Sequence, residues 1–386
     1  MTWSVHPSTP AVAIYREMLV NYNEPFILAL GEALDRYCAW YVGMRRVDGL
    51  DTLPDRTIVL NSGTRPSAAA ESIFKLLGLA PASFMRALRR VRPTILHAFT
   101  GVSGAQALPL ARRLRLPLFV TCTGYEATAS EDELKQYRYR GRVYLRRREG
   151  LKRHAHRFLA VSDFIRSRLL SQGFPEDKTL VHYIGIDTDV FRAEPEMPRE
   201  PVVLFAGRLI PTKGVSHLIA AMAGVSAAVP AAELVVIGKG PLRAELERQC
   251  EDRRLRARFL GSLAGEEVRS WMNRAMLLCT PSVTAPDGTV EALPAVCAEA
   301  HAMGLPIAGF ASGGIPEGVI HGTTGLLARE GDEEGLAASI VRLLTDRPLW
   351  TSMSRAAAIH ARERFDLRRQ TRALESMYDE ARGLSH

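Results

Sequence analysis

At 386 residues, 47% hydrophobic and 24% charged, the chain is too long for one ordinary core and too apolar to be disordered, which leaves a globular protein of two domains. Its net charge of +8 is lopsided, since residues 1–193 hold 28 Lys/Arg against 18 Asp/Glu while residues 194–386 hold 22 against 24. Apolar runs fall short of the about 18 residues a spanning helix needs, and MTWSVHPSTP has neither the basic start nor the apolar core of an export signal.

Five scattered cysteines (Cys38, Cys122, Cys250, Cys279, Cys297) are odd in number and without metal spacing, as reduced thiols are. The expected location is cytoplasmic.

In chain order, short apolar runs alternate with helical stretches: AVAIY (11–15), TIVL (57–60), TILHAF (94–99), LPLFVTC (116–122), RFLAVS (157–162) and TLVHYI (179–184). His97 ends one of these runs, at the edge where ligands collect, and reads either as a satisfied histidine or as an acceptor-site residue. Between Lys135 and Arg157 lie ten basic residues opposed only by Glu149. That run is either a solvated helical face or a contact with an anionic membrane leaflet or phosphorylated lipid. Nucleic acid is not expected, because no nucleic-acid fold signature accompanies the charge. His154 and His156, inside the run, are poorly placed as metal ligands. Asp187-Thr188-Asp189 matches a metal-binding D-x-D pattern but reads as a turn closing the first domain.

RAEPEMPRE (192–200) reads as an interdomain linker. A second series follows: PVVLFAG (201–207), AELVVIG (232–238), RFLG (258–261), MLLCTPS (276–282) and LPIAGF (305–310). Runs apolar on both faces and separated by helices indicate parallel sheets covered on two sides. The end of the chain, from about 334, is helical by period, and 366–381 is expected to cross back to the first domain.

The chemistry concentrates in the second half. FAGRLIPTKG (205–214) places Gly207, Arg208 and Lys213 after a strand, where two cations can neutralise a diphosphate. VVIGKGP (235–241) lacks the full phosphate-loop spacing, so Gly238 marks either close approach to a ligand or tight packing. In PDGTVEALPAVCAEAHAMGLP, Pro294 suits a first helical turn and Gly304 with Pro306 a stop, predicting a helix over 294–303. Glu291 precedes its start and Glu299 sits in its second turn. Between them lie the N–H groups of a helix start, a seat for phosphate. Two carboxylates around an anion site fit a ligand that is hydroxylated at both ends and anionic in the middle, such as a nucleotide sugar. SGGIPEGV (312–319) reads as a backbone-approach loop centred on Gly313 and Gly314. No Ser/His/Asp set appears, and the two glutamates do not face each other as a glycosidase pair would.

In this order the motifs resemble the retaining glycosyltransferases of family four, whose GT-B fold has two Rossmann-like doubly wound parallel-sheet domains facing across a cleft. The resemblance covers nearly the whole chain and is strongest over 157–330, with Glu291 and Glu299 as the E-x7-E pair. TAPDGTVEALP (284–294) is similar to enzymes of bacterial exopolysaccharide assembly, and NEPFILALGEAL (23–34) to their SETFI segment.

The resemblance implies an acceptor-binding domain over 1–193, a donor-binding domain over 194–365, and a helix over 366–386 returning to the first. It implies that Arg208 and Lys213 hold the donor diphosphate and Glu299 the ribose. Glu291, with the backbone of Ala292, Leu293, Pro294 and Ala295, holds the transferred sugar. Gly207 and Gly238 belong to the same donor set, and Leu263 to the base. Thr123 and Gly124 lie on the acceptor side. The implied reaction is front-face displacement with retention, with no cofactor and no metal, toward a glycan, lipid-linked or small-molecule acceptor. Three departures stand out. Thr123 occupies the position of a histidine, and a threonine cannot act as a base at neutral pH as imidazole can. Ala292 replaces a glycine, and the glycine-rich loop after the first strand is absent. An inactive sugar-nucleotide-binding partner and a nucleotide-sugar epimerase are the alternatives.

Overall fold

The structure, a computed structural model, describes residues 9–19, 24–47, 54–136, 138–194 and 197–384. Parts of MTWSVHPSTP, of NEPFILALGEAL (Asn23), of the basic run (Tyr137), of RAEPEMPRE (Pro195, Glu196) and of 366–386 (385–386) lie outside them. Two α/β units emerge, one running to Gly185 and resuming at Leu367, the other spanning Ile186–Asp366.

Unit 1 is built on eight parallel strands: β1 (Ala11–Tyr15), β2 (Met18–Leu19), β3 (Cys38–Arg46), β4 (Thr57–Asn61), β5 (Pro93–Phe99), β6 (Leu118–Cys122), β7 (Arg157–Ala160) and β8 (Thr179–Val181). The path runs β2-β3-β1-β5-β6-β7-β8, with β4 also on β3. Met18 pairs Arg45 at the same offset at which Ala11 pairs Cys38, so β2 prolongs the line of β1. Every residue of β1 and β6 is buried, as a sheet covered on both faces requires. One face packs Val12, Ile14, Tyr41, Ile95 and Phe119 against Leu374 and Tyr378 of the C-terminal helix Leu367–Ala381.

Unit 2 carries β9 (Glu200–Ala206), β10 (Glu233–Ile237), β11 (Ala257–Gly261), β12 (Ala275–Thr280), β13 (Ile307–Phe310) and β14 (Gly325–Ala328), all parallel, in the order β11-β10-β9-β12-β13-β14. Its first strand is central, and the order reverses between β9 and β12. Ligands of doubly wound sheets collect at that switch point, beyond the strands' carboxyl ends. In unit 1 the corresponding point lies between β1 and β5.

The strands β3 and β14 were not expected from the sequence: Trp40, Gly43 and the terminal arginines interrupt the period of CAWYVGMRR, and GLLA is only four residues long. The expected linker also differs. Residues from Ile186 onward already belong to unit 2, because Ile186 N–H donates to the Phe365 carbonyl (2.8 Å) and Thr188 Oγ1 to Asp366 (2.7 Å). Phe191 packs on the second core, and Arg199 donates to the carbonyls of Ala275 (3.0 Å) and Met303 (2.8 Å). Residues 192–194 and 197–200 are therefore anchored rather than a free tether. Three helices, Glu333–Thr345, Arg347–Arg364 and Leu367–Ala381, complete the chain. Among the described residues no helix is long and apolar enough to cross a membrane.

Candidate functional site

The loop leaving β9 carries Gly207, Arg208 and a 3-10 turn over Pro211–Lys213. It is held from two sides. Gly207 N–H donates to the Ile237 carbonyl (2.9 Å), and the Thr212 carbonyl accepts from Val283 N–H (2.9 Å) beyond β12. Gly238 has φ +145°, and a Cβ there would lie 1.8 Å from the Gly207 carbonyl oxygen. That resolves the alternatives left open for Gly238: it is a glycine because the loops after β9 and β10 touch. Gly214, at φ +63°, meets the Pro281 carbonyl in the same way. Leu263 is partly buried against the core of unit 2.

Across the switch point, the loop after β12 delivers Glu291. Its carboxylate pairs with Lys213 Nζ at 2.8 Å, both side chains being 16% exposed. The Glu291 carbonyl accepts from Gly314 N–H (2.9 Å), and a Cβ on Gly313 (φ +56°) would sit 2.2 Å from that oxygen. The SGG loop therefore approaches the backbone of Glu291. Farther back, Glu330 accepts from Thr284 N–H (2.6 Å) and Oγ1 (3.1 Å). These clamps fix a loop that has no regular structure of its own.

The following helix is Ala295–Ala302, with Pro294 as its N-cap and no side-chain cap. Ala292 and Pro294 are buried, while Leu293 and Ala295 are partly exposed. Glu299 lies in the second turn, keeps some exposure, and has no side-chain hydrogen bond among the described residues. Desolvation raises its carboxyl to about 7. Burial pushes the neighbouring Cys297 thiol up to about 12, so it stays protonated. Arg208 is exposed and has no ion-pair partner among the described residues. Lys213 and Glu291 thus meet beyond the carboxyl ends of β9 and β12, with Arg208 on the loop that carries Lys213 and Glu299 on the helix that follows Glu291. Two cations there can carry a diphosphate, and two carboxylates can accept from hydroxyls.

On unit 1 the outcome is mixed. His97 is fully buried, with Nδ1 2.5 Å from the Tyr378 hydroxyl, Nε2 2.7 Å from Thr121 Oγ1, and its ring stacked on Phe99. Both nitrogens are committed and burial lowers its pKa to about 3, so the acceptor-site reading of His97 is corrected to a satisfied core histidine. Thr123 is partly exposed beyond β6, next to Gly124 at φ +135°. Its N–H donates to Glu126 Oε1 (3.2 Å), which also accepts from Gly101 N–H (2.8 Å). Burial raises the Glu126 pKa.

Sequence reasoning missed the residues at this switch point. Arg16 pairs with Glu24 (2.8 Å) and donates to Ser103 Oγ (3.1 Å). Thr100 caps the next helix at φ +79°, ψ +148°, a region costly for any side chain. Strain of that kind leaves no signal in a sequence. Asp187 accepts from Asp189 N–H (2.9 Å) and Val190 N–H (3.1 Å), which makes the D-x-D a turn, though one at the start of unit 2 rather than closing the first domain. Among the described residues no group of three or more His, Cys, Asp or Glu is placed to hold a metal.

Two all-parallel doubly wound units define the GT-B class. Residues 45–190 match the family model of Glycosyltransferase Family 4 and residues 187–360 that of Glycosyl transferases group 1, and the chain belongs to this glycosyltransferase family. The fold matches Anabaena HepE, solved in complex with UDP (TM-score 0.77, 21% identity, 96% of this chain and 100% of that one). It also matches sucrose-phosphate synthase of Thermosynechococcus elongatus (TM-score 0.76, 21% identity, 97% and 100%). Among curated relatives, the amylovoran biosynthesis glycosyltransferase of Erwinia amylovora is 32% identical over 189 residues, 48% of this chain and 46% of the relative. A GDP-mannose-dependent alpha-(1-6)-phosphatidylinositol monomannoside mannosyltransferase of Mycobacterium tuberculosis is 32% identical over 209 residues, 51% and 54%. The match spans about half the length of these curated relatives.

Proposed function

We propose that the protein is a retaining, metal-independent hexosyltransferase. It moves a sugar from a UDP- or GDP-sugar to a hydroxyl of a glycan, lipid-linked or small-molecule acceptor in exopolysaccharide or glycolipid synthesis. The observation that carries this reading is the Lys213–Glu291 pair at the switch point of unit 2, flanked by Arg208 and Glu299.

Lys213 exchanges Glu291 for the donor diphosphate, and exposed Arg208 binds two further oxygens. Freed Glu291 accepts from hydroxyls of the transferred sugar, and Glu299 from the ribose. As the anomeric C–O bond breaks, negative charge grows on the departing diphosphate. Lys213, Arg208 and the N–H groups at the start of Ala295–Ala302 stabilise it there. The acceptor oxygen bonds the anomeric carbon on the face the diphosphate leaves, and its proton passes to a phosphate oxygen. Neither Thr123, a hydroxyl, nor His97, engaged on both nitrogens, supplies a base from unit 1.

That same fact favours a second reading, a sugar-nucleotide-binding protein without turnover. Thermal shift against a panel of UDP- and GDP-sugars, followed by transfer assays with the binding donor, separates the two. Binding with transfer that Lys213→Ala and Glu291→Ala each abolish supports the enzyme; full activity in either variant refutes the site. We place the protein in the cytoplasm, at the inner face of the membrane. The basic 135–157 segment turns toward anionic lipid, through its exposed members Arg142, Arg146 and Arg153.

A further inference from the structure

Much of the basic run is spoken for inside unit 1. Arg140 pairs with Glu17 (2.9 Å), Arg148 with Glu131, and Lys152 with Glu149 (2.7 Å), while Arg147 donates to the Ala105 and Leu76 carbonyls. That run alone makes a weak lipid-binding face. A different surface stands out beside it. Of the nine exposed large apolar side chains among the described residues, four fall within one short stretch: Ile73 (47% exposed), Leu76 (45%), Leu77 (66%) and Leu79 (55%).

Ile73, Leu76 and Leu77 stand at i, i+3 and i+4 on the last turns of the helix Arg65–Leu77, so they share a face. The helix already satisfies its inward side with buried Phe74 and with Lys75 paired to Glu17 (2.7 Å). Gly78 in the left-handed conformation ends it, leaving Leu79 beyond the turn. Among the described residues nothing covers this apolar face, and such faces mark interaction sites.

Charge identifies the occupant. From Ser72 to Tyr125 there is no Asp or Glu, against eight Lys/Arg. A further helix adds to that charge beside the leucines. Arg146 and Arg147 donate to the Leu76 carbonyl, tying the helix Arg138–His154 to this edge. Pro109 would lie 2.7 Å from a Cβ on Gly78, which brings exposed Arg112 and Arg113 of Gly101–Leu114 to within a turn of it. The helix Ala82–Val91 follows directly, with Arg86, Arg89 and Arg90 exposed. Leucines that enter the acyl boundary, rimmed by arginines at phosphate height, are what an anionic bilayer surface holds. Nucleic acid would use the arginines and leave the leucines wet.

We infer that unit 1 docks on an anionic membrane leaflet through Ile73, Leu76, Leu77 and Leu79, with Arg86, Arg89, Arg112, Arg113 and Arg146 around them. This sharpens the membrane placement proposed above, and its failure is separable from failure of the donor site, which thermal shift with sugar nucleotides reads independently.

The test is co-sedimentation of the full chain with phosphatidylcholine vesicles carrying about 30% phosphatidylglycerol, against phosphatidylcholine alone. Wild type should bind the anionic vesicles and be released as salt approaches about 0.5 M. Leu77→Asp with Leu79→Asp, at positions too exposed to disturb folding, should lower the partition coefficient about tenfold or more. Arg86→Gln with Arg89→Gln and Arg112→Gln should weaken binding to anionic vesicles only. Wild type remaining in the supernatant at low salt, or the leucine variant sedimenting as wild type does, overturns the inference. So does a wild-type dimer in analytical ultracentrifugation that the leucine variant converts to monomer, because the face then belongs to a second copy.

Discussion

Glu299→Gln separates the cost of a binding carboxylate from its use. In the fold the Glu299 carboxyl is raised from 4.5 to about 7 by desolvation, with no cation paired to it. The native state therefore holds this proton more tightly than the unfolded chain does. Its stabilising contribution is complete below the unfolded value near 4.5 and is lost as pH rises through about 7. Above that, the ionised carboxylate costs up to about 3 kcal/mol, of which water at its exposed edge screens a part. Glutamine matches the protonated form in shape and never ionises. Urea melts of both proteins at pH 5 and pH 8 isolate the effect, since other titrating groups cancel in the difference. We expect the variant to gain about 1–3 kcal/mol on wild type between the two pH values, while losing affinity for sugar nucleotides. A difference that stays constant with pH, or that grows in favour of wild type, refutes the argument that this carboxylate is buried uncompensated.

Four further outcomes are expected. Lys213→Ala leaves Glu291 half-buried without its partner, so it should cost about 1–3 kcal/mol of stability in denaturant melts and about 10²-fold or more in kcat/KM. Gly313→Ala places a Cβ against the Glu291 carbonyl at a positive φ; it should cost about 1–3 kcal/mol in melts and weaken donor binding in calorimetry while Lys213 is intact. Tyr378→Phe removes one bond to His97 and should lower stability by about 1 kcal/mol with donor affinity unchanged. His97 and His301, both lowered to about 3 by burial, must charge in the unfolded chain below about 6.5. Stability should therefore fall as pH drops from about 6.5 toward 3, as melts across that range would show.

The parallel sheets were legible in the sequence because runs such as AVAIY and PVVLFAG are apolar on both faces. The loops at the carboxyl ends of the strands were legible because glycines and charges recur after strands. What sequence spacing could not convey was who partners whom. Whether His97 is free depends on Tyr378, far along the chain in a helix that returns. Whether ten basic residues form a surface depends on Glu17, Glu131 and the Leu76 carbonyl claiming some of them. β3 went unseen because Trp40, Gly43 and two arginines blur its period. The linker was placed late because Pro and charge in 192–200 resemble a tether, yet Arg199 is bonded into unit 2.

The helix Leu367–Ala381 gives the order of synthesis a physical meaning. Leu374 and Tyr378 complete a core whose strands leave the ribosome before any of unit 2. Until the final turn emerges, the first unit must wait with that face open, while the second can close on itself from Ile186 to Asp366. Nascent chains stalled between Asp366 and Leu367 should thus present a finished unit 2 and an unfinished unit 1, the species a holding chaperone would meet.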